Sequence, residues 1–155
     1  MTRLCCDALE RLRAKRLTLA TAESLTGGGI GAALTAVPGA SDVFKGGVIS
    51  YVNEVKEKLL GVPSEILMQY GAVSAQTAAA MASGVRELLK ADVAVSVTGL
   101  AGPGGDEFGH SVGTVFVGFS SDRFSTVKEY RFEGGREDVR RQTIQAALNL
   151  ILENI

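Results

Sequence analysis

Residues 92–99, DVAVSVTG, form an apolar run without the alternation expected of a strand that has one wet face. Such a run suits a strand buried on both sides, which requires helices above and below its sheet. The rest of the chain offers them. Leu4, Cys5, Ala8, Leu9 and Leu12 recur at helical spacing within residues 2–15, with Arg11, Arg13 and Lys15 mostly outside that stripe. RLTLATAES (16–24) reads as a strand, TGGGIGAALTAV (26–37) as a helix halted by Pro38 and Gly39, KGGVISYV (45–52) as a second strand, and NEVKEKLLGV (53–62) as a short helix. A turn of helix follows Pro63 through Leu67, and Ser74 is placed to N-cap a long helix ending near Ala91. VGTVFVGFSS (112–121) and FSTVKEYRF (124–132) predict a hairpin joined around Ser121–Arg123. A last helix from about Arg136 carries Val139, Ile144, Ala147, Leu148, Ile151 and Leu152. The expectation is an α/β fold in one domain over 1–155, with a mainly parallel sheet to which the hairpin adds antiparallel pairing.

Composition narrows the function. At 155 residues and 46% hydrophobic the chain is long enough to bury about two-thirds of its unfolded surface. Sixteen Lys and Arg against seventeen Asp and Glu leave no cationic excess for a phosphate backbone, so nucleic acid is not an expected partner. There is no apolar stretch of about eighteen residues and no apolar signal region near Met1, so the expected location is cytoplasmic, with no membrane contact. His110 is the only histidine and Cys5 and Cys6 are adjacent, which gives no metal-site spacing; no metal is expected. A lone histidine also makes a Ser-His-Asp triad a poor expectation and directs attention to another base.

Two glycine-rich loops follow predicted strands: ESLTGGG after the first, and TGLAGPGGDEFG (98–109) after the DVAVSV run. In open α/β sheets ligands bind beyond the carboxyl ends of the strands, where loops and helix N-termini expose N–H groups. Neither loop is a Walker P-loop, because no Lys-Ser or Lys-Thr follows Gly105. Gly27, Gly29 and Ala32 loosely fit a dinucleotide fingerprint, which keeps a cofactor-dependent oxidoreductase among the alternatives. That reading wants a ribose-binding acid at the end of the second strand, yet Glu54 lies past Asn53, where a helix begins.

Ser24 stands at the lip of the first strand. A serine hydroxyl needs a base, and SYVNEVKEK brings Tyr51, Asn53 and Lys56 from the second strand. If Asn53 caps the helix, Lys56 falls in its first turn, where the dipole and burial both move its pKa down from about 10.4. Taken singly, each residue also has a plain reading: Ser24 as an N-cap, Tyr51 as a half-buried strand aromatic, Lys56 as a solvated lysine like Lys58.

AESLTGGGIGAALTAVPGASDVFKGGVISYVNEVKEKLLGV, GAVSAQTAAAMASGV, ADVAVSVTGLAGPGG and VGTVFVGF, in that order, resemble the hallmark segments of the CinA C-terminal domain family, the PncC-type nicotinamide mononucleotide (NMN) amidohydrolases. The resemblance covers about residues 5–152. It implies a three-layer α/β/α domain with a mixed sheet. It also implies pyridine nucleotide salvage: metal-independent hydrolysis of the small-molecule nucleotide NMN to nicotinate mononucleotide and ammonia, with no cofactor. By motif, Ser24 would be the nucleophile, Lys56 the general base and Tyr51 a partner in proton transfer or orientation. Glu23, Thr26, Gly27, Gly28, Asn53, Thr98, Gly99, Gly102 and Gly104 would line the substrate site, with backbone N–H groups at Gly27 or Gly28 holding the oxyanion, and Arg140 would be an assisting basic residue.

Three departures from the family pattern stand out. Leu25 replaces a common cysteine after the serine, DEFGHSVGT places His110 and Ser111 where a Lys and a Pro are usual, and Gly135 replaces an acid before Arg136. The altered 106–111 loop motivates the alternative of a catalytically inactive pyridine-nucleotide-binding module. A homo-oligomer is expected, with the small apolar helix 74–91 as the surface between copies.

Overall fold

The structure, a computed structural model, describes residues 1–155. Its elements in chain order are α1 (Thr2–Lys15), β1 (Leu19–Glu23), α2 (Gly29–Thr35), β2 (Phe44–Ile49), α3 (Asn53–Lys58), α4 (Ser64–Tyr70), α5 (Ala75–Leu89), β3 (Val93–Gly99), β4 (Thr114–Ser121), β5 (Ser125–Arg131) and α6 (Arg136–Asn154). The five strands form one sheet in the order β2-β1-β3-β4-β5. β1 pairs in parallel with both β2 and β3, whereas β4 is antiparallel to β3 and to β5. Four strands therefore point one way and β4 alone is reversed. The expected three-layer α/β/α architecture holds.

Alternation along the central strands divides the two cores. Leu19 on β1 and Val93, Val95 and Val97 on β3 face α1, α2 and α6, where they join Leu9, Leu12, Ile30, Leu34, Leu148 and Ile151 in the larger core. Ala20, Ala22 and Ala94 face the other way, against Leu60, Val62, Met81 and Val85. The residues on this second face are small. That lets α5 approach until the Ser96 hydroxyl donates to the Ala78 carbonyl at 2.6 Å, with Gly118 opposite in β4 leaving room for it. Helix α5, the surface expected between copies, thus covers β1, β3 and β4 of its own chain and buries Thr77, Ala78, Met81, Ala82 and Val85 there.

The element types match the sequence reading, and the differences lie at boundaries. β2 ends at Ile49 rather than at Val52, which leaves Tyr51 on a loop and not on a strand. α2 begins at Gly29, because residues 25–28 form a turn with positive φ at Gly27 and Gly28. A short 3-10 turn at Ala40–Asp42 has no signal in the spacing of apolar residues. No helix is long and apolar enough to cross a membrane.

The close seat of α5 makes a reversal of the usual glycine rule testable. Exposed helix glycines gain about 1 kcal/mol on replacement by alanine, but a Cβ at Gly84 would lie 1.8 Å from the Leu60 carbonyl oxygen. Gly84→Ala is expected to lower the unfolding free energy by about 1–3 kcal/mol in a urea titration, the cost of overpacking.

Candidate active site

Period-two alternation sends Glu23 and Ser24, neighbours at the end of β1, to opposite faces of the sheet. Glu23 turns under the glycine loop and is 2% exposed. Its Oε2 accepts from the Thr26 hydroxyl at 2.5 Å and from the Gly28 and Ile30 N–H groups at 3.1 and 3.0 Å, and its Oε1 accepts from the Gly31 N–H at 2.9 Å. A buried carboxylate with four donors at the N-terminus of α2 serves as that helix's cap. This corrects two expectations. Glu23 and the Thr26 side chain are sealed structural groups rather than substrate contacts, and Ser24 does not cap α2.

The loop N–H groups expected to hold an oxyanion are already in use. The Gly28 N–H is used by Glu23, and the Gly27 N–H donates to the Ser24 carbonyl at 3.1 Å. The N–H groups of Leu25 and Thr26, by contrast, find no acceptor in the protein. Arg140 on α6 fixes the peptide plane that carries the Thr26 N–H and the one that follows it, with Nε donating to the Leu25 carbonyl at 3.0 Å and Nη2 to the Thr26 carbonyl at 3.2 Å. In a trans peptide the C=O and the following N–H point in opposite directions. Holding the Leu25 carbonyl toward α6 therefore aims the Thr26 N–H away from it. Arg140 is placed to position the loop.

Ser24 faces α3. Its own N–H continues the ladder to Val97 at 3.1 Å, and its Oγ lies 3.1 Å from Lys56 Nζ. Lys56 is 1% exposed and donates to the Ser50 carbonyl at 2.7 Å, yet it forms no ion pair. Burial pushes its pKa down from 10.5 to about 8. The expectation that Asn53 caps α3 is not met: Val52 occupies the N-cap, its carbonyl accepting the Lys56 N–H, and Asn53 is the first helical residue. Desolvation is the cause of the lowered pKa.

The remaining residues separate into free and occupied groups. Asn53 and Gly104 are exposed, and Gly104 has open space around it. The Thr98 hydroxyl donates to the Ala72 carbonyl at 2.7 Å, and a Cβ at Gly99 would lie 2.7 Å from the Thr114 carbonyl oxygen, so both serve packing around β3. Tyr51 is 57% exposed, not half-buried, and its hydroxyl accepts from Arg136 Nη2 at 3.0 Å rather than meeting Ser24 or Lys56. Gly102 has positive φ, and its carbonyl accepts from Arg136 Nη1 at 2.6 Å. Arg136, absent from the expected site residues, was findable: Arg136, Arg140 and Ile144 share one face of α6 at four-residue spacing.

No three His, Cys, Asp or Glu side chains come together in metal-ligand geometry. A surface hollow of about 580 Å³ lies at the amino end of β3 between Lys15, Arg86, Asp92 and Arg123, and Ser24 does not line it. Size alone does not find this site; the buried hydroxyl–amine pair does.

The unpaired lysine has a stability consequence. Its folded pKa of about 8 lies below the unfolded 10.5, so the unfolded chain binds more protons between those values. The penalty is fully present below pH 8 and disappears as pH rises toward 10.5, and the difference corresponds to about 3 kcal/mol. Lys56→Met is expected to be more stable than the wild type at pH 7 by about 1–3 kcal/mol, reduced by the lost bond to Ser50. Chemical denaturation at pH 7 and near pH 10 checks this, since the gap should narrow at the higher pH.

Comparison with known proteins agrees with this architecture. The family model described as the CinA C-terminal domain matches residues 2–155. A CinA-like protein of a Synechococcus species is 48% identical over 145 residues, covering 92% of this chain and 35% of its own length. A CinA-like protein of Geobacter sulfurreducens is 48% identical over 143 residues, covering 92% and 35%. The chain thus spans about a third of the length of the curated relatives it matches. Among solved structures, competence damage-inducible protein A from Klebsiella pneumoniae superposes with a TM-score of 0.96 at 34% identity, covering 99% of this chain and 95% of that one. The competence/damage inducible protein of Agrobacterium tumefaciens gives 0.94 at 37% identity, covering 98% and 93%. With the family model matched almost end to end, this chain belongs to the CinA family, by its C-terminal domain.

Proposed function

We propose that the chain is a metal-independent Ser/Lys amidohydrolase that converts NMN to nicotinate mononucleotide and ammonia. The observation that carries the reading is a buried, unpaired lysine amine 3.1 Å from a serine hydroxyl at the carboxyl end of a central strand. A cation so placed is costly, and its neutral form is the useful one. As an uncharged amine, Lys56 accepts the Ser24 proton while a hydrogen of its own stays on the Ser50 carbonyl.

Ser24 Oγ then bonds to the carboxamide carbon, and its proton passes to Lys56 Nζ. The negative charge collects on the carbonyl oxygen, where the Thr26 N–H, its peptide plane already held by Arg140, and the Leu25 N–H supply donors. Collapse of the tetrahedral species breaks the C–N bond, and Lys56 returns its proton to the nitrogen, which leaves as ammonia. Water attacks the nicotinoyl ester on Ser24, Lys56 takes the water's proton, and that proton restores the serine hydroxyl as the acid departs. The altered 106–111 segment makes no hydrogen bond to Ser24 or Lys56: Asp106 accepts from the His110 backbone at 2.9 Å and lies 2.7 Å from the His110 ring, and Phe108 packs at Gly71. Nothing in the site favours the inactive binding module.

Ammonia release from NMN by the purified protein tests the reading. Because the base works only when uncharged, kcat/KM is expected to rise about tenfold per pH unit below about 8 and to level off above it. Ser24→Ala is expected to abolish turnover with the fold retained. Turnover that survives this change, or a rate flat from about pH 6 to pH 9, would falsify the Ser/Lys mechanism.

A further inference from the structure

We infer that Arg136 recognises an anionic phosphomonoester at the mouth of the Ser24–Lys56 site, with Tyr51 as its positioning partner. This rests on the amidase reading and deepens it by naming the group that sets the substrate class. Three observations support it, from topology, charge and hydrogen-bonding capacity.

The sheet order places β1 between β2 and β3. Tyr51 follows β2, Gly102 follows β3, and Ser24 ends β1 between them. By holding the Tyr51 hydroxyl at 3.0 Å and the Gly102 carbonyl at 2.6 Å, Arg136 spans the two loops that flank the nucleophile. Helix α6 sets its reach. Ile144 packs at Gly29 and Arg140 holds the loop just after Ser24, so Arg136 lies one turn, about 5–6 Å, farther along the axis. A substrate with its amide at Ser24 and an anionic group at its far end is matched by that order.

Charge points the same way. Neither Arg136 nor Arg140 has a carboxylate within ion-pair distance; every acceptor they hold is a carbonyl or a hydroxyl. Glu107, Glu133 and Glu137 are exposed and pair with neither arginine, and four other acids are engaged elsewhere. Asp138 accepts from the Gly135 N–H and pairs with Arg141, Asp106 is paired with His110, Glu54 with Lys58, and Glu23 is sealed beneath its loop. Two guanidinium groups without counter-ions hold the loops around Ser24.

Arg136 has unused capacity as well. It is exposed and spends two of its five N–H donors, leaving three. The Tyr51 hydroxyl accepts from Arg136, so its own hydrogen is free for the same ligand. Gly104 and Gly105, whose N–H groups have no acceptor, lie two and three residues beyond Gly102. Donors arriving from a guanidinium plane, a phenol and a loop suit the three oxygens of a tetrahedral phosphate better than a planar carboxylate.

Binding to the Ser24→Ala protein, which takes turnover out of the measurement, tests the inference by calorimetry with NMN and its dephosphorylated nucleoside. The nucleotide is expected to bind at least about tenfold more tightly, the effect of a charge-assisted pair. Adding Arg136→Gln should erase most of that ratio by weakening the nucleotide alone. Arg136→Lys should keep part of it, since the charge remains and the fork is lost. Tyr51→Phe should reduce it a few-fold. Inorganic phosphate should displace the nucleotide from the Ser24→Ala protein and fail to do so once Arg136 is replaced. Equal affinity for the two ligands, no binding of either, or an R136Q that weakens both alike overturns the inference, the last being the signature of a strap that merely ties Gly102 to Tyr51. The amidase reading is judged separately: nucleotide binding without ammonia release from the wild type would end that reading and leave this one standing.

Discussion

A lysine taken out of water with no carboxylate to meet it is the constraint around which this fold is arranged. Burial of an unpaired ammonium is expensive enough to bring its pKa down to about 8, which puts the neutral amine within reach near neutral pH. Only two neutral groups meet the amine: the Ser50 carbonyl accepts one of its hydrogens, and the Ser24 hydroxyl lies 3.1 Å away. The helix carrying Lys56 has only six residues, so the lysine is held in place by its flanks, with Leu60 and Val62 locked into the second core just beyond it. Stability is given up at one position, and the proposed base is what that cost would provide.

The end of β1 distributes two tasks by the geometry of a strand. Glu23 faces the glycine loop and shapes it from below; Ser24 faces the amine. Arg140 then fixes the same loop from outside through the Leu25 and Thr26 carbonyls. The three glycines are therefore only partly about ligand access. Gly27 and Gly28 have positive φ so that the chain can fold back over a carboxylate. Most of the loop's donors and acceptors are spoken for, whereas the Leu25 and Thr26 N–H groups beside Ser24 are not.

Much of this was legible in the sequence, for local reasons. Periodicity exposed the strands and helices, the doubly apolar DVAVSV run implied a covered sheet, and SYVNEVKEK put a lysine on the helix after the neighbouring strand. What could not be read were long-range partnerships. That Glu23 would be consumed by four donors depends on where α2 starts, which only the turn at 25–28 decides. Tyr51 looked like a strand residue because apolar spacing continues past Ile49, but the strand stops where its pairing with β1 ends at Glu23. Arg136 and Arg140 lie more than a hundred residues from Ser24, and the meeting of Arg140 with its loop, and of Arg136 with Tyr51 and Gly102, is a property of helix packing.

The protonation state of one side chain decides whether this arrangement is a device for hydrolysis or an accident of packing. A heteronuclear NMR titration of lysine-labelled protein, with the Lys56 signal assigned by its absence from a Lys56→Met sample, measures that state directly. The account predicts a titration midpoint near pH 8. A midpoint close to the ordinary 10.5 would mean that the buried amine stays charged, and would contradict it.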